Sequence, residues 1–290
     1  MTEAAERLRG IVLMLLAVGI FSIMDAVMKQ LVVHYPAMQI ASIRGVSSLP
    51  FVLLSYLLTG RLRELRPVRT GLHLVRSLLG ILMLWGFIWA LARASMADTY
   101  AIFMCAPLLV VLAASVMLGE KVDRHLWFAI VAGLAGVYVM LKPSLAGFAS
   151  LAGLAALLSA LAYSVQVVMV RVLARTDTTA SMIFWYLLLL SVGATALAAP
   201  GWVPIIAADW PWILAVGVCG SSAQYLITEA FRLAPASVVA PYEYTAMVWA
   251  VAFDRVIWQV LPDARMLIGS AIVVGAGLYL LRRERLADRQ

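Results

Sequence analysis

The chain has 290 residues, of which 64% are hydrophobic and 13% are charged, and its mean hydropathy is +0.98. A soluble domain is about half apolar and about a quarter charged. This excess of apolar side chains excludes a soluble globular protein and predicts an all-α integral membrane protein in contact with the lipid bilayer. The net charge of +7 comes from arginines in short breaks between apolar runs, as in cytoplasmic loops, which argues against a nucleic-acid partner.

Ten apolar segments follow one another in chain order, each near the length of about 20 residues that a spanning helix needs. The N-terminal stretch MTEAAERLRG leads into the first segment without a small-residue cleavage site, so we expect a spanning helix rather than a removed signal peptide. Breaks such as GEKVDR and PGWVP separate the segments. The predicted segments span 8–33, 37–59, 70–92, 96–118, 123–142, 147–174, 178–199, 209–233, 236–257 and 264–282.

The distribution of Lys and Arg predicts the orientation of these segments. If the N-terminus is cytoplasmic, the inner breaks hold most of the bases, including a dense group at 61–69. The outer breaks then hold Arg93, Lys142 and Arg265. Because cytoplasmic loops carry the excess of positive charge, we expect both termini in the cytoplasm.

Two motifs indicate an internal repeat. AGVYVM (135–140) closes the fifth segment, and AGLYLL (276–281) closes the tenth. At a similar offset, ALARAS precedes the fourth segment and AFRLAPAS precedes the ninth. These matches predict two repeats of five helices, 1–143 and 144–290, and the second must be inverted because five is odd. Inverted repeats are typical of transporters that bind their substrate near the bilayer midplane.

The order of several motifs resembles the drug/metabolite transporter superfamily, EamA type. The motifs are Arg44 and Arg76 early in the second and third segments, Pro107 followed by LGE (118–120), and ASVVAPYEYTAMVWA (236–250) in the ninth segment. The resemblance implies a bacterial inner-membrane exporter of amino acids or related metabolites, most similar to exporters of aromatic and other neutral amino acids. The second half departs from the pattern, because DRVIWQVLP stands where a second GE is expected.

Charged side chains inside spanning helices are rare and mark structural pairs or functional sites. Asp25 and Lys29 lie four residues apart in the first segment, and Glu229 and Arg232 lie three apart in the eighth. Both spacings place an acid and a base on one helix face. The first pair is expected either to snorkel outward or to form an outer gate. The second is expected to form an inner gate or a structural pair.

Three further charges lie deeper in the predicted helices. Arg44 and Arg76 lie roughly 10 Å inside their segments at 1.5 Å per residue; each either snorkels and caps backbone carbonyls or meets a substrate carboxylate. Glu243 has no base three or four residues away, so we expect its partner on another helix, in water or in a ligand. Glu243 is expected to bind a substrate amine, to carry a proton, or to form a buried hydrogen bond that locks the bundle.

Two prolines within predicted helices, Pro107 and Pro241, indicate where a cavity lies, because helix breaks in lipid are tolerated where they line a cavity or pack against protein. Aromatic, amide and carboxyl groups near these breaks and in other segments predict an apolar cavity with few polar groups. For Trp85, Trp89, Tyr100 and Phe103, packing is an equally good explanation. The expected cavity residues are Glu243, Tyr242, Tyr244, Tyr100, Phe103, Met104, Trp85, Trp89, Tyr163, Gln166, Gln224 and Tyr225.

The sequence lacks the side-chain groups of an enzyme, a metal site or a cofactor site. Its histidines, His34, His73 and His125, lie at segment ends, and Cys105 and Cys219 have no metal-ligand spacing. No filter motif indicates a channel. We therefore predict a transporter of small neutral metabolites, above all amino acids, that uses alternating access and needs no second copy. A broad drug or toxic-compound efflux carrier is the alternative, and an intramembrane enzyme or a channel is more remote.

Overall fold

The computed structural model describes residues 3–31, 33–91, 102–120, 123–141, 150–257 and 264–287. Its helices are α1 (Glu3–Leu31), α2 (Ala37–Leu58), α3 (Thr70–Leu91), α4 (Ala106–Leu118), α5 (Arg124–Leu141), α6 (Leu151–Leu173), α7 (Thr179–Ala198), α8 (Trp210–Leu233), α9 (Ala236–Val239), α10 (Ala246–Ile257) and α11 (Ala264–Ala287). Short 3-10 helices span Leu62–Leu65, Ala199–Gly201, Ala207–Asp209 and Ala240–Thr245.

Each predicted segment contains a helix within its described part. The third, predicted over 70–92, is Thr70–Leu91, and the eighth, predicted over 209–233, is Trp210–Leu233. That all ten segments cross the membrane, with both termini in the cytoplasm, stays a prediction. Five helical stretches are long and apolar enough to cross a membrane, namely Ala5–Met28, Met38–Leu58, Thr70–Phe87, Leu151–Leu173 and Thr179–Gly201.

The fourth segment departs from its prediction, which is one helix over 96–118 with a proline in its middle. The described part has a turn at Met104 and Cys105, after which α4 begins at Ala106. Pro107 therefore lies in the first turn of a helix, not at a bend inside one. Proline fits there because the first N–H groups of a helix have no intrahelical acceptor.

Apolar side chains cover the exterior of the bundle as well as its core. Val116 is 85% exposed, and Leu58 and Leu151 are also largely exposed. Soluble monomers rarely present contiguous apolar surfaces of this kind. An exterior of large aliphatic side chains is what contact with lipid tails requires.

The principal helix contacts cross from one predicted half to the other. The first segment packs on the eighth, the second on the seventh, the third on the sixth and the fifth on the tenth. The second also contacts the eighth, the third the seventh, the fourth the sixth and the first the ninth. This set is unchanged when every segment is replaced by the one five places away. Two halves related by a two-fold axis produce such a pattern.

Polar connections distinguish two ends of the bundle. At one end, Gln39 Nε2 donates to the Val203 carbonyl at 2.6 Å, and Gln39 Oε1 accepts from the Val203 amide at 2.8 Å. At the other end, the Val68 amide donates to Asp177 Oδ1 at 2.8 Å. Following the predicted orientation, we name the first the outer end and the second the inner end.

The largest described cluster of buried apolar side chains lies towards the inner end. It includes Ile11 and Met14 of α1, Leu173 at the end of α6, Phe231 near the end of α8, and Val239 of α9. These positions fall in the inner halves of their helices. We define this cluster as the inner core.

Candidate substrate site

The ninth segment is a broken helix, in which the 3-10 helix Ala240–Thr245 separates α9 from α10. Pro241 lies at the start of this turn and lacks the N–H group that a continuing α-helix would use. The tighter 3-10 winding changes the direction of successive side chains. As a result, Tyr242, Glu243 and Tyr244 enter different surroundings.

Glu243 has one hydrogen-bonded oxygen and one open oxygen. The Tyr163 hydroxyl of α6 donates to Glu243 Oε2 at 2.9 Å, which confirms that the partner comes from another helix. Oε1 is shielded from solvent and has no hydrogen-bond partner among the described residues. Because buried polar atoms are nearly always paired, the open oxygen indicates an acceptor that a ligand or water donor can use.

The two tyrosines beside Glu243 anchor the turn and do not surround the carboxyl group. Both are almost fully buried. Tyr242 belongs to the inner core, and the Tyr244 ring packs so closely on Gly133 of α5 that a Cβ there would come within 2.6 Å of it. The prediction that both rings line a cavity is therefore corrected to a packing role, because apolar side chains enclose them.

Three aromatic rings lie next to one another, and one of them, Tyr163, is hydrogen-bonded to Glu243. The Phe103 ring centroid is 5.9 Å from that of Tyr163 and 4.9 Å from that of Phe87, edge-on to the latter. These are ordinary separations for favourable aromatic pairs. Phe103 and Tyr163 are predicted cavity residues that the fold brings together, whereas no sequence spacing marks Phe87. We define Phe87, Phe103 and Tyr163 as the aromatic wall.

The other predicted apolar cavity residues lie elsewhere. Trp85 is 46% exposed, and its ring centroid is 6.5 Å from that of Trp89, which packs on an apolar cluster of α3 and α6. Met104 packs against the cluster of Tyr244 and Val273 instead of joining the aromatic wall. Tyr100 lies outside the described residues. Phe103 and Met104, adjacent in sequence before Pro107, therefore have different neighbours.

The predicted amide groups do not converge on Glu243. Gln166 Nε2 is buried 3.6 Å from Met83 Sδ, a weak acceptor. Gln224 Nε2 donates to Thr228 Oγ1 at 3.2 Å, one turn along α8. Tyr225 is 44% exposed and lines a cavity at the inner end. The prediction that these groups share one cavity with Glu243 is corrected, because each amide nitrogen has a partner other than Glu243.

The two intramembrane arginines have different surroundings. Arg76 is 3% exposed, its Nη1 donates to the Met182 carbonyl at 2.8 Å, and its guanidinium lies 4.6 Å from the centroid of the Tyr186 ring. Arg76 thus has the carbonyl-capping role that its sequence position allows. Arg44 is half-buried, and its guanidinium lies 5.2 Å from the centroid of the Phe21 ring on α1.

At the inner end, the predicted pair within α8 is present. Arg232 Nε and Nη2 donate to the two oxygens of Glu229 at 2.9 and 2.7 Å. The Thr179 hydroxyl of α7 also donates to Glu229, at 2.7 Å, and extends the pair to a second helix. For the outer pair, the Lys29 side chain lies outside the described residues, so its pairing with Asp25 stays a prediction.

Glu120 caps the start of the broken helix from the opposite half. α4 ends at Leu118 and is followed by Gly119, whose φ of 69° is a left-handed conformation that favours glycine. Glu120 then accepts hydrogen bonds from the Ala236 amide at 3.2 Å and from the Ser237 amide and hydroxyl at 3.0 and 2.7 Å. Arg171 Nε lies 3.4 Å from the carboxylate. The sequence identified Glu120 only as part of LGE, because this partner lies in the other half.

Two adjoining cavities open at the inner end. Neither lining includes Glu243 or a member of the aromatic wall. The smaller, about 290 Å³, is lined by Leu118, Glu120, Arg171, Ala174, Arg175 and Arg232. The larger, about 470 Å³, is lined by Tyr56, Arg61, Glu64, Ala174, Arg175, Thr176, Asp177, Thr178, Thr179, Ala180, Tyr225, Glu229 and Arg232.

Two of the histidines contact buried carboxylates in the connections. Hydrogen bonds from Tyr35 (2.7 Å) and His34 (2.9 Å) hold the pKa of Asp209 below its usual value, although burial acts in the opposite direction. Burial raises the pKa of Asp177, but hydrogen bonds, first that with His73 at 2.8 Å, leave it below its usual value. Within the described ranges, no three His, Cys, Asp or Glu side chains form a metal-binding group.

Comparison with known proteins places these features in a family context. Residues 8–142 and 150–282 match the EamA-like transporter family. The pseudopaline exporter CntI of Pseudomonas aeruginosa is 28% identical over 279 residues, covering 95% of this chain and 97% of the exporter. A riboflavin transporter of Vibrio cholerae is 28% identical over 288 residues, covering 98% of this chain and 96% of that transporter.

Two more distant similarities extend this comparison. An S-adenosylmethionine uptake transporter of Rickettsia prowazekii is 24% identical over 278 residues, covering 96% of this chain and 94% of that protein. A solved crystal structure with 19% sequence identity superposes with a TM-score of 0.82 and covers 99% of both chains. At that identity, the structural likeness concerns the fold alone.

Proposed function

This chain belongs to the EamA-like transporter family, and we propose that it exports small neutral metabolites, above all aromatic and other apolar amino acids, across the bacterial inner membrane. Membership makes it a multi-pass membrane transporter of small molecules and not an enzyme. The direction of transport in this proposal rests on the family resemblance and on the exporter among the relatives.

The open oxygen of Glu243 beside the aromatic wall is the observation that carries the proposal. Glu243 Oε1 has no partner among the described residues, so it is available to accept a hydrogen bond from a substrate ammonium group. Tyr163, which donates to the same carboxyl group, adjoins Phe103, and Phe103 adjoins Phe87, so these rings form an apolar aromatic surface that begins at the hydrogen-bond partner of Glu243. An apolar surface with few polar groups suits a small molecule that has an amine and an apolar side chain.

Alternating access around this site is the proposed mechanism. The proposed motion is a rocking of the halves about the region that holds the broken helix. It has to rearrange the principal helix contacts, which join one half to the other. In the present conformation the inner core and the Glu120 cap close the inner side of that region. Release to the inner side would require both of these to separate while outer contacts such as Gln39 with Val203 persist.

The relatives suggest which other substrates must be tested. Their names specify pseudopaline, riboflavin and S-adenosylmethionine, and none of these is a simple neutral amino acid. Riboflavin would use the aromatic wall more than the Glu243 acceptor, since stacking depends on ring faces. A broad efflux carrier would use both features with little selectivity.

Counterflow in proteoliposomes tests the proposal. Vesicles containing the purified chain are loaded with one unlabelled compound at a time, namely phenylalanine, methionine, riboflavin or S-adenosylmethionine, and uptake of the same labelled compound is followed. We expect phenylalanine and methionine to accelerate their own uptake, and Glu243→Gln to abolish most of this acceleration. Protein-free vesicles and the Glu64→Gln variant, changed at the inner surface, are the controls. Acceleration by riboflavin alone, or by no amino acid, would overturn the proposed substrate class.

A further inference from the structure

We propose that the smaller cavity at the inner end binds a phosphate group, with Arg171, Arg175 and Arg232 as its cationic lining. The proposal is independent of the transported substrate, because neither inner cavity includes Glu243 or a member of the aromatic wall in its lining. Two sources have this chemistry, namely the headgroup of an anionic phospholipid and a free phosphate ion.

Basic side chains dominate the lining of this cavity. Three guanidinium groups and one carboxylate, that of Glu120, surround a volume of about 290 Å³ together with Leu118 and Ala174. The charge bias of membrane proteins places arginines in cytoplasmic loops, but it does not direct three of them to one concave space. These three come from the last turn of α6, the connection that follows it and the last turn of α8. Like charges in one recess repel one another, and a bound anion removes that repulsion.

Arg175 has an uncompensated charge. Its side chain is exposed, lines both inner cavities, and forms no hydrogen bond or ion pair with the residues that the structure describes. Arg232, by contrast, donates from Nε and Nη2 to the two oxygens of Glu229 at 2.9 and 2.7 Å. A guanidinium has five N–H donors in a fixed fork, which matches the oxygens of a phosphate. Arg175 therefore has its donors available for a ligand at the boundary of the two cavities.

Arg171 is held loosely by its present neighbours. Its Nε lies 3.4 Å from the Glu120 carboxylate, and its Nη1 lies 3.5 Å from the Arg232 carbonyl oxygen. Ordinary N–H···O hydrogen bonds are about 2.7–3.2 Å long. Glu120 accepts shorter hydrogen bonds from the amide and hydroxyl of Ser237, at 3.0 and 2.7 Å, so its carboxylate is engaged by the broken helix. Arg171 can therefore turn towards an anion in the cavity without the loss of a strong contact.

The apolar surface beside the cavity suits a lipid as the source of the phosphate. Leu118 lines the cavity, and Val116 and Met117, which precede it on α4, are 85% and 45% exposed. Acyl chains can contact such side chains while the phosphate of the same lipid enters the recess. Basic recesses between spanning helices on the cytoplasmic side are known binding sites for anionic headgroups. A free phosphate ion would use the same guanidinium groups without the apolar contact.

Thermal unfolding of the purified chain in detergent micelles tests the site in two arms. In the first, sodium phosphate is compared with sodium chloride at equal ionic strength. In the second, micelles with added phosphatidylglycerol are compared with micelles that contain phosphatidylcholine, whose headgroup has no net charge. A ligand that binds only the folded state raises the melting temperature, so we expect a rise with phosphate over chloride and with phosphatidylglycerol over phosphatidylcholine. A rise in the second arm alone would assign the phosphate to a lipid, and a rise in the first arm alone would assign it to the free ion.

Substitution of Arg175 locates the binding. Arg175→Gln should weaken the apparent affinity by about tenfold or more, the range for a hydrogen bond to a charged group, and Arg175→Lys should weaken it less, because it keeps the charge and loses the fork. Neither substitution removes a recorded side-chain contact, and gel filtration establishes that each variant is folded. Arg63→Gln is the matched control, since Arg63 is an exposed arginine of the inner end outside both linings, and it should leave the affinity unchanged.

Two results would overturn the site. One is a melting temperature that neither phosphate nor phosphatidylglycerol raises. The other is an equal loss of affinity in Arg175→Gln and Arg63→Gln, which would indicate a general effect of surface charge. A loss in Arg175→Gln with none in Arg63→Gln would support the phosphate site whichever source binds.

Discussion

Glu120 and Ser237 connect the two halves of the chain at the inner end. The Glu120 carboxylate accepts hydrogen bonds from both the amide and the hydroxyl of Ser237, at 3.0 and 2.7 Å. Since Ser237 lies six residues before Glu243 on the same broken helix, this contact fixes the start of the element that carries the candidate site.

Removal of the Glu120 carboxylate is expected to destabilise the fold. Glu120→Ala leaves the Ala236 and Ser237 amides without their acceptor, so the free energy of unfolding should fall by about 1–3 kcal/mol. Thermal unfolding of the two purified proteins measures the difference. Glu64→Ala is the matched control, because its ion pair with Arg61 is exposed and should contribute less than about 1 kcal/mol. Equal effects of the two substitutions would contradict the capping role.

Two tyrosine substitutions should have different effects on stability. Tyr163→Phe removes the donor to Glu243 Oε2 and leaves both oxygens of a buried carboxyl group unpaired, so we expect a loss of about 1–3 kcal/mol. Tyr244→Phe removes a buried hydroxyl that has no partner among the described residues, so its effect should be near zero or stabilising. Thermal unfolding in one detergent compares them. A larger loss for Tyr244→Phe would refute the assigned hydrogen bonds.

The outer end should weaken in acid through Asp209. Its carboxyl pKa lies below the ordinary 3.8 because Tyr35 and His34 hydrogen-bond the ionised form. A lowered folded-state pKa contributes stability above the unfolded value and loses it as pH falls through the folded value. The melting temperature of the wild type should therefore exceed that of Asp209→Asn at pH 7, and the gap should close below pH 3.8. Repeating the pair in a His34→Gln background removes the imidazole titration; a gap that is constant with pH would contradict this assignment.

Single-cysteine labelling tests the predicted orientation. After replacement of Cys105 and Cys219, cysteines are placed at two exposed positions, Ala208 at the outer end and Arg63 at the inner end. A membrane-impermeant thiol reagent should label Ala208→Cys in intact cells with a permeabilised outer membrane, and Arg63→Cys only after cell lysis. The reverse pattern would place the termini in the periplasm.

Sequence periodicity and composition predict the helices well but predict the site only in part. Proline and glycine breaks locate most helix ends within a few residues. The residues around Pro107, however, do not show whether it bends a helix or begins one. Glu243 can be identified from the sequence because an isolated carboxyl group is costly at membrane depth and therefore indicates a structural or functional role. Its partner Tyr163 and the neighbouring Phe87 come from other helices, and their proximity depends on tertiary packing. Gln166 misleads for the same reason, since its packing partner is distant in sequence.

The polar contacts at the two ends have a consequence for leakage. Gln39 with Val203 and Tyr35 with Asp209 tie the halves at the outer end, while Glu120 with Ser237 ties them at the inner end. Hydrogen bonds weaken steeply with small changes in distance and angle. Each of these contacts should therefore break abruptly as the halves move apart. Because the two ends have separate contacts, one end can open while the other stays closed. A continuous water or proton path through the chain would form only if the contacts at both ends broke at the same time.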